Sequence, residues 1–101
     1  MYILIPVDGK DEKLSEITTV ANLKQWALVD FDAGISKSIS FYDDRESIGV
    51  DWVDFIILEN KFENYLDFMN EGMMVLIRRE EKTIEDILEA FKFKELDEAG
   101  L

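Results

Sequence analysis

The sequence contains no cysteine and no histidine. The first absence excludes a disulfide framework and any thiolate metal site. The second removes the commonest general base and the commonest transition-metal ligand together. No apolar run is long enough to span a bilayer, and the N-terminus lacks the pattern of a signal peptide. Basic residues are scarce: 11 stand against 23 acidic ones, a formal net charge of −12. Such a field repels a phosphate backbone, which argues against nucleic acid and against an anionic membrane as partners. A basic protein surface or a divalent cation is compatible with it. By elimination, we expect a soluble, cytoplasmic protein.

What is present suits one domain. The chain has 101 residues, of which 48% are hydrophobic, enough for a real core. Its centre is Tyr2-Ile3-Leu4-Ile5-Pro6-Val7-Asp8-Gly9, an uncharged run closed by an Asp-Gly turn. A run of this kind reads as a strand buried on both faces. Pro6 cannot donate to a ladder and belongs near a strand end or at a bulge. Residues 8–22 are polar and read as a loop. Gln25 to Phe31 predicts a second strand, with Trp26 and Leu28 on one face and Ala27, Val29 and Phe31 on the other. Asp32-Ala33-Gly34 turns it into a third strand over Ile35 to Tyr42. Lys37 and the alternating serines mark that strand as an edge with a solvated face. After the charged connection Asp43–Ser47, Val50 to Leu58 predicts a fourth strand.

Two helices follow on one plan. Asn60 and Glu63 have the spacing of a capping box, with Phe62, Tyr65, Leu66 and Met69 as the apolar face behind them and Gly72 as the stop. Met73 to Ile77 predicts a fifth strand. Thr83 and Asp86 cap the second helix, whose stripe is Ile84, Ile87, Leu88 and Phe91. The last ten residues are acidic and are expected to fray. Alternating strands and helices at this pitch mean parallel strands with right-handed crossovers. The expected architecture is a single α/β domain over residues 1–101: a five-stranded mixed sheet in the order 3-2-1-4-5, with helices after strands four and five.

An ordered set of short matches resembles one known family. Ile5-Pro6-Val7-Asp8 begins it, and Ser15-Glu16 lies where the family has Ser-Glu-His-Phe-Gly. Ala27-Leu28-Val29-Asp30, Gly49-Val50-Asp51 and Glu71-Gly72-Met73 follow in order. Thr83-Ile84-Glu85-Asp86-Ile87-Leu88-Glu89-Ala90-Phe91 resembles the family's final helix. The family is the dinitrogenase iron–molybdenum cofactor biosynthesis proteins, and the likeness runs along nearly the whole chain. It implies a fold of ribonuclease-H-like topology. Some members bind or carry iron–sulfur or iron–molybdenum cofactor precursors. The chain departs from the pattern where that chemistry sits. Ile17-Thr18-Thr19 replaces His-Phe-Gly, and no glycine occurs between Phe55 and Lys61. The helix expected after the third strand is cut to Asp43–Ile48. Clusters of this kind require thiolate or imidazole ligands, so the cluster motif reads as lost.

Three constellations remain. Asp8 and Glu59 should follow the carboxyl ends of neighbouring central strands, where open α/β sheets bind ligands. Asp11, Glu12 and Glu16 lie in the adjacent loop. Two carboxylates side by side suit Mg²⁺ or Ca²⁺, and metal-dependent nucleases use such clusters. The plainer reading is a turn carboxylate and a solvated acidic loop. Arg78-Arg79 is the only adjacent basic pair; it could grip an anion near the N-terminus of the last helix or simply pair with local acids. Phe68, Met69, Met73 and Met74, like Trp26 and Trp52, are assigned to the core. The function expected is a non-catalytic binding or adaptor protein without cofactor. Its partner would be a protein, or a second copy of the chain paired through the edge strand. The alternatives are a carrier of a hard cation or small ligand at Asp8 and Glu59 and, further off, a nuclease.

Overall fold

The computed structural model describes residues 1–100. Its strands are β1 (Tyr2–Val7), β2 (Gln25–Asp32), β3 (Ile35–Tyr42), β4 (Phe55–Leu58), β5 (Met74–Ile77) and β6 (Asp97–Glu98), and its α-helices are α1 (Leu66–Asn70) and α2 (Ile84–Lys92). They build one mixed sheet in the order β3-β2-β1-β4-β5-β6. The opening run takes the central place its composition demands. Ile3, Leu4, Ile5 and Val7 have no exposed surface. β1 pairs antiparallel with β2, Ile3 opposite Val29 and Ile5 opposite Ala27, and parallel with β4, Leu4 opposite Ile56. Pro6 sits one residue from the strand end in a trans bond, opposite Trp26. β3 is the edge, joined through Ala33 and Gly34, both at positive φ.

Alternation sorts the side chains into two cores. Ile3, Ile5, Val7, Ala27, Val29 and Phe31 face the amphipathic stripe of α2, made of Ile84, Ile87, Leu88 and Ala90. Leu4, Trp26, Leu28, Ile56, Leu58 and Val75 form the opposite face, covered by Phe68 of α1 and by irregular segments carrying Val50, Val53 and Met73. The start of α2 is as predicted. The Thr83 hydroxyl accepts from Asp86 N, and the Asp86 carboxylate accepts from Thr83 N.

Several expectations are corrected. There are six strands, not five, because Asp97–Glu98 adds an antiparallel strand beside Leu76 and Ile77. The acidic tail is therefore anchored through Ala99, Leu101 lying outside the described residues: Leu96 and Ala99 are buried, and Ala99 N donates to Val75 O at 3.1 Å. The fourth strand is shorter than Val50–Leu58. It begins at Phe55 because its partner β1 begins at Tyr2. Asp54 closes that end, donating its N–H to Tyr2 O and accepting Tyr2 N on its carboxylate. Val50 and Val53 pack over the sheet instead. The first helix does not start at Asn60. Half of the predicted cap forms there, since Asn60 Oδ1 accepts Phe62 N and Glu63 Oε2 accepts Asn60 N. The chain then runs through a turn and an irregular stretch until Leu66. Asn64 and Tyr65 are weak helix formers, and Glu63 is held by a second loop, so the nucleus does not propagate. Phe62 and Leu66 consequently lie exposed, and Phe68 turns inward. Two residues assigned to the core are also exposed, Met74 at the start of β5 and Trp52.

Candidate functional site

β1, β4 and β5 run parallel, so their carboxyl ends share one edge. Each ends in polar residues: Asp8-Gly9, Glu59-Asn60 and Arg78-Arg79. The structure brings Glu59, Arg78 and Arg79 together around a groove of about 650 Å³ that Phe62, Ile77 and Ala99 help to line. Arg78 holds two loops. Its Nε donates to Glu59 O at 3.3 Å, and one terminal nitrogen donates to Glu81 O at 2.9 Å. The other lies 3.9 Å from Glu59 Oε1. Arg79 reaches across to β6 and pairs with Asp97 at 2.9 Å. Both cations of the predicted anion grip are thus engaged with acids of the chain. The N-terminus of α2 is filled by its own Asp86.

Asp8 is at the same edge but does not line this groove. It is exposed, and its Oδ1 accepts Glu16 N at 2.8 Å while Asp8 N donates to Glu16 O. These bonds fold residues 8–18 back on the sheet, with Ile17 opposite Val7 and Glu16 opposite Thr83. Asp11 closes the tip of that loop. Bonds from Leu14 N and then Lys13 N hold its carboxyl below the usual aspartate range. Among the described residues, no three carboxylates converge on one point.

The residue that organises this edge is Glu63. Its Oε2 accepts Glu59 N at 3.0 Å and Asn60 N at 3.2 Å, and its Oε1 accepts Val20 N at 2.8 Å. Two successive backbone donors at the end of β4 and a third from the loop before β2 form a small anion-binding nest. Here the chain's own carboxylate occupies it. The sequence shows Glu63 only as a capping residue. Asn-x-x-Glu spacing cannot tell a carboxylate that caps a helix from one that also spans to a neighbouring loop.

No family model matches the sequence, and no curated protein does. Solved structures match it over nearly its full length. A crystal structure of a provisionally assigned dinitrogenase from Methanocaldococcus jannaschii superposes with a TM-score of 0.76 at 21% identity, covering 99% of this chain and 95% of that one. The NMR structure of a provisionally assigned NifB protein from Thermotoga, placed in the DUF35 family, gives 0.70 at 20% identity, covering 96% and 91%. At these identities the likeness is one of fold. The donor set does not fit an iron–sulfur or iron–molybdenum cluster, because the chain offers neither thiolate nor imidazole.

Proposed function

We propose that this protein is a non-catalytic binding or adaptor domain related to the nitrogenase cofactor-biosynthesis proteins, with the cluster site closed by an internal carboxylate. The observation that carries this reading is Glu63 seated on two backbone N–H groups at the end of β4 and on a third, Val20 N, from the loop before β2. In an open α/β sheet a ligand would sit at that place. The fold shared with provisionally assigned dinitrogenase and NifB proteins supports the kinship, and with it a ribonuclease-H-like topology. The surface left for recognition is the edge strand β3, whose first four residues are exposed, on a chain with net charge −12. A cytoplasmic protein partner, or a second copy joined edge to edge, suits that surface.

Two measurements test the reading. Anaerobic reconstitution with iron and sulfide should leave the purified protein colourless; stoichiometric cluster absorbance would overturn the proposal. Thermal melts with Mg²⁺, Mn²⁺, Ca²⁺ and Fe²⁺ should show no specific shift. A shift with one ion that disappears in Asp8→Ala would make the protein a cation carrier instead, since a ligand of the native state raises stability by mass action.

A further inference from the structure

The opposite end of the sheet carries a different feature. A groove of about 590 Å³ opens where β4 and β5 begin and α2 ends, within the roughly 300–1,000 Å³ range of small-ligand sites. Its floor is apolar: Phe55, Leu76, Phe91 and Leu96. Phe91 is the keystone, edge-on to Phe55 at 4.8 Å and to Phe31 at 5.4 Å between ring centroids. Exposed Met74 forms a side wall that can adapt to what enters. Lys92 and Lys94 stand at the rim with Glu98. Among the described residues neither lysine forms an ion pair, although acids outnumber bases 23 to 11 in this chain.

Both lysines are placed with some cost or constraint. The stem of Lys92 packs over Gly34 in the β2–β3 turn, 3.3 Å from where a Cβ would stand. Lys94 occupies the left-handed position that ends α2, at φ 59. Glu95 N donates to Ala90 O and Lys94 N to Phe91 O, the double bond pattern in which glycine is the usual residue. A side chain there is strained relative to glycine.

We propose that this groove binds an amphipathic monocarboxylate, with its apolar chain on the Phe55–Phe91 floor and its carboxylate between Lys92 and Lys94. Charge complementarity selects the anionic head: of the charged side chains that line this groove two are lysines and one is Glu98, while Glu12, Glu85 and Glu89 lie with Lys92 along the adjoining groove. The apolar floor selects the tail. Glu98 is the one residue this groove shares with the groove at the carboxyl-end edge.

The test is titration calorimetry with hexanoate, octanoate and decanoate below their micelle concentrations. The dissociation constant should fall about fourfold per added methylene until the groove is full. The amide and ring shifts of Phe91 and the amide and methyl shifts of Leu96 should move. The K92A/K94G double variant should bind octanoate roughly three- to tenfold more weakly, and E98Q should bind it more tightly. K94G alone should melt at or above the wild-type temperature, so its loss of binding would not be a loss of fold. Octan-1-ol should bind wild type no better than octanoate binds the double variant. The proposal is overturned by absence of decanoate binding, by affinity independent of chain length, by undiminished binding in the double variant, or by a solution dimer that covers the groove.

Discussion

Removing the Glu63 carboxylate should destabilise the protein more than any other single change at an exposed or half-buried acid. Glu63→Ala deletes the acceptor of three backbone donors, Val20 N, Glu59 N and Asn60 N. A hydrogen bond to a charged group contributes about 1.5–3 kcal/mol when buried. This site is partly open, so water replaces some of each bond, and about 1 kcal/mol per donor is the fair figure. The expected loss is about 3 kcal/mol, which for a domain of this size lowers the melting temperature by about 12–24 °C. Glu63→Gln keeps one carbonyl oxygen. Facing it toward Glu59 and Asn60 leaves the amide against Val20 N, so a loss of about 1–2 kcal/mol is expected. The urea midpoint should move with little change in slope, because the surface exposed on unfolding is the same. Amide exchange should accelerate at Val20, Glu59 and Asn60. Formate offers the missing carboxylate. At about ten times its dissociation constant it should return about 1.4 kcal/mol to Glu63→Ala and nothing to wild type. A Glu63→Ala protein that melts within a few degrees of wild type, or that formate does not help, would refute the idea of an internal anion at this edge.

Two further outcomes follow from local geometry. Gly72 has φ +94, and a Cβ there would stand 2.4 Å from the Trp52 ring. Gly72→Ala should therefore lose about 1–2 kcal/mol from backbone strain plus the displacement of the ring. In Trp52→Ala/Gly72→Ala the strain remains and the clash is gone, so urea melts should show the double variant losing less than the sum of the two single losses; additive losses would disprove the contact. Arg45 donates two bonds to Glu71 and lies over the Trp26 and Phe68 rings. The hydrogen bond from Arg45, against a smaller opposing effect of burial, lowers the Glu71 carboxyl below its ordinary 4.5. A depressed carboxyl stabilises the fold above its unfolded value and loses that contribution as pH falls through the folded value. The pair is partly exposed, so about 0.2–1 kcal/mol is expected. The difference between wild type and Arg45→Gln should be larger at pH 6 than at pH 3; an equal difference at both would leave ring stacking as its whole basis.

Much of the site was legible as position and little as chemistry. Asp8, Glu59, Arg78 and Arg79 fall at the edge that strand order predicts. Their partners did not follow from spacing. Arg79 pairs with Asp97, 18 residues away, only because β6 adds to the sheet. Asp8 turns to Glu16 because the loop folds back through Ile17.

What the sequence by itself determined was the elements with strong local signals. These are the buried run of β1, the alternation that assigns Ala27, Val29 and Phe31 to one face and Trp26 and Leu28 to the other, the hairpin at Gly34, and the Thr83–Asp86 cap of α2. The absence of cysteine and histidine likewise removed thiolate and imidazole from the donors the chain can offer. Only the tertiary structure decided how far β4 extends, since a strand can be no longer than the neighbour that satisfies its backbone. The same holds for β6, two acidic residues made into a strand by the free edge of β5. Glu63 shows the reason most plainly. Its local spacing offers a helix start, but three donors from two loops reach its carboxylate, and the contact from Val20 across 43 residues of sequence outweighs the weak propensity of Asn64 and Tyr65 to carry the helix on.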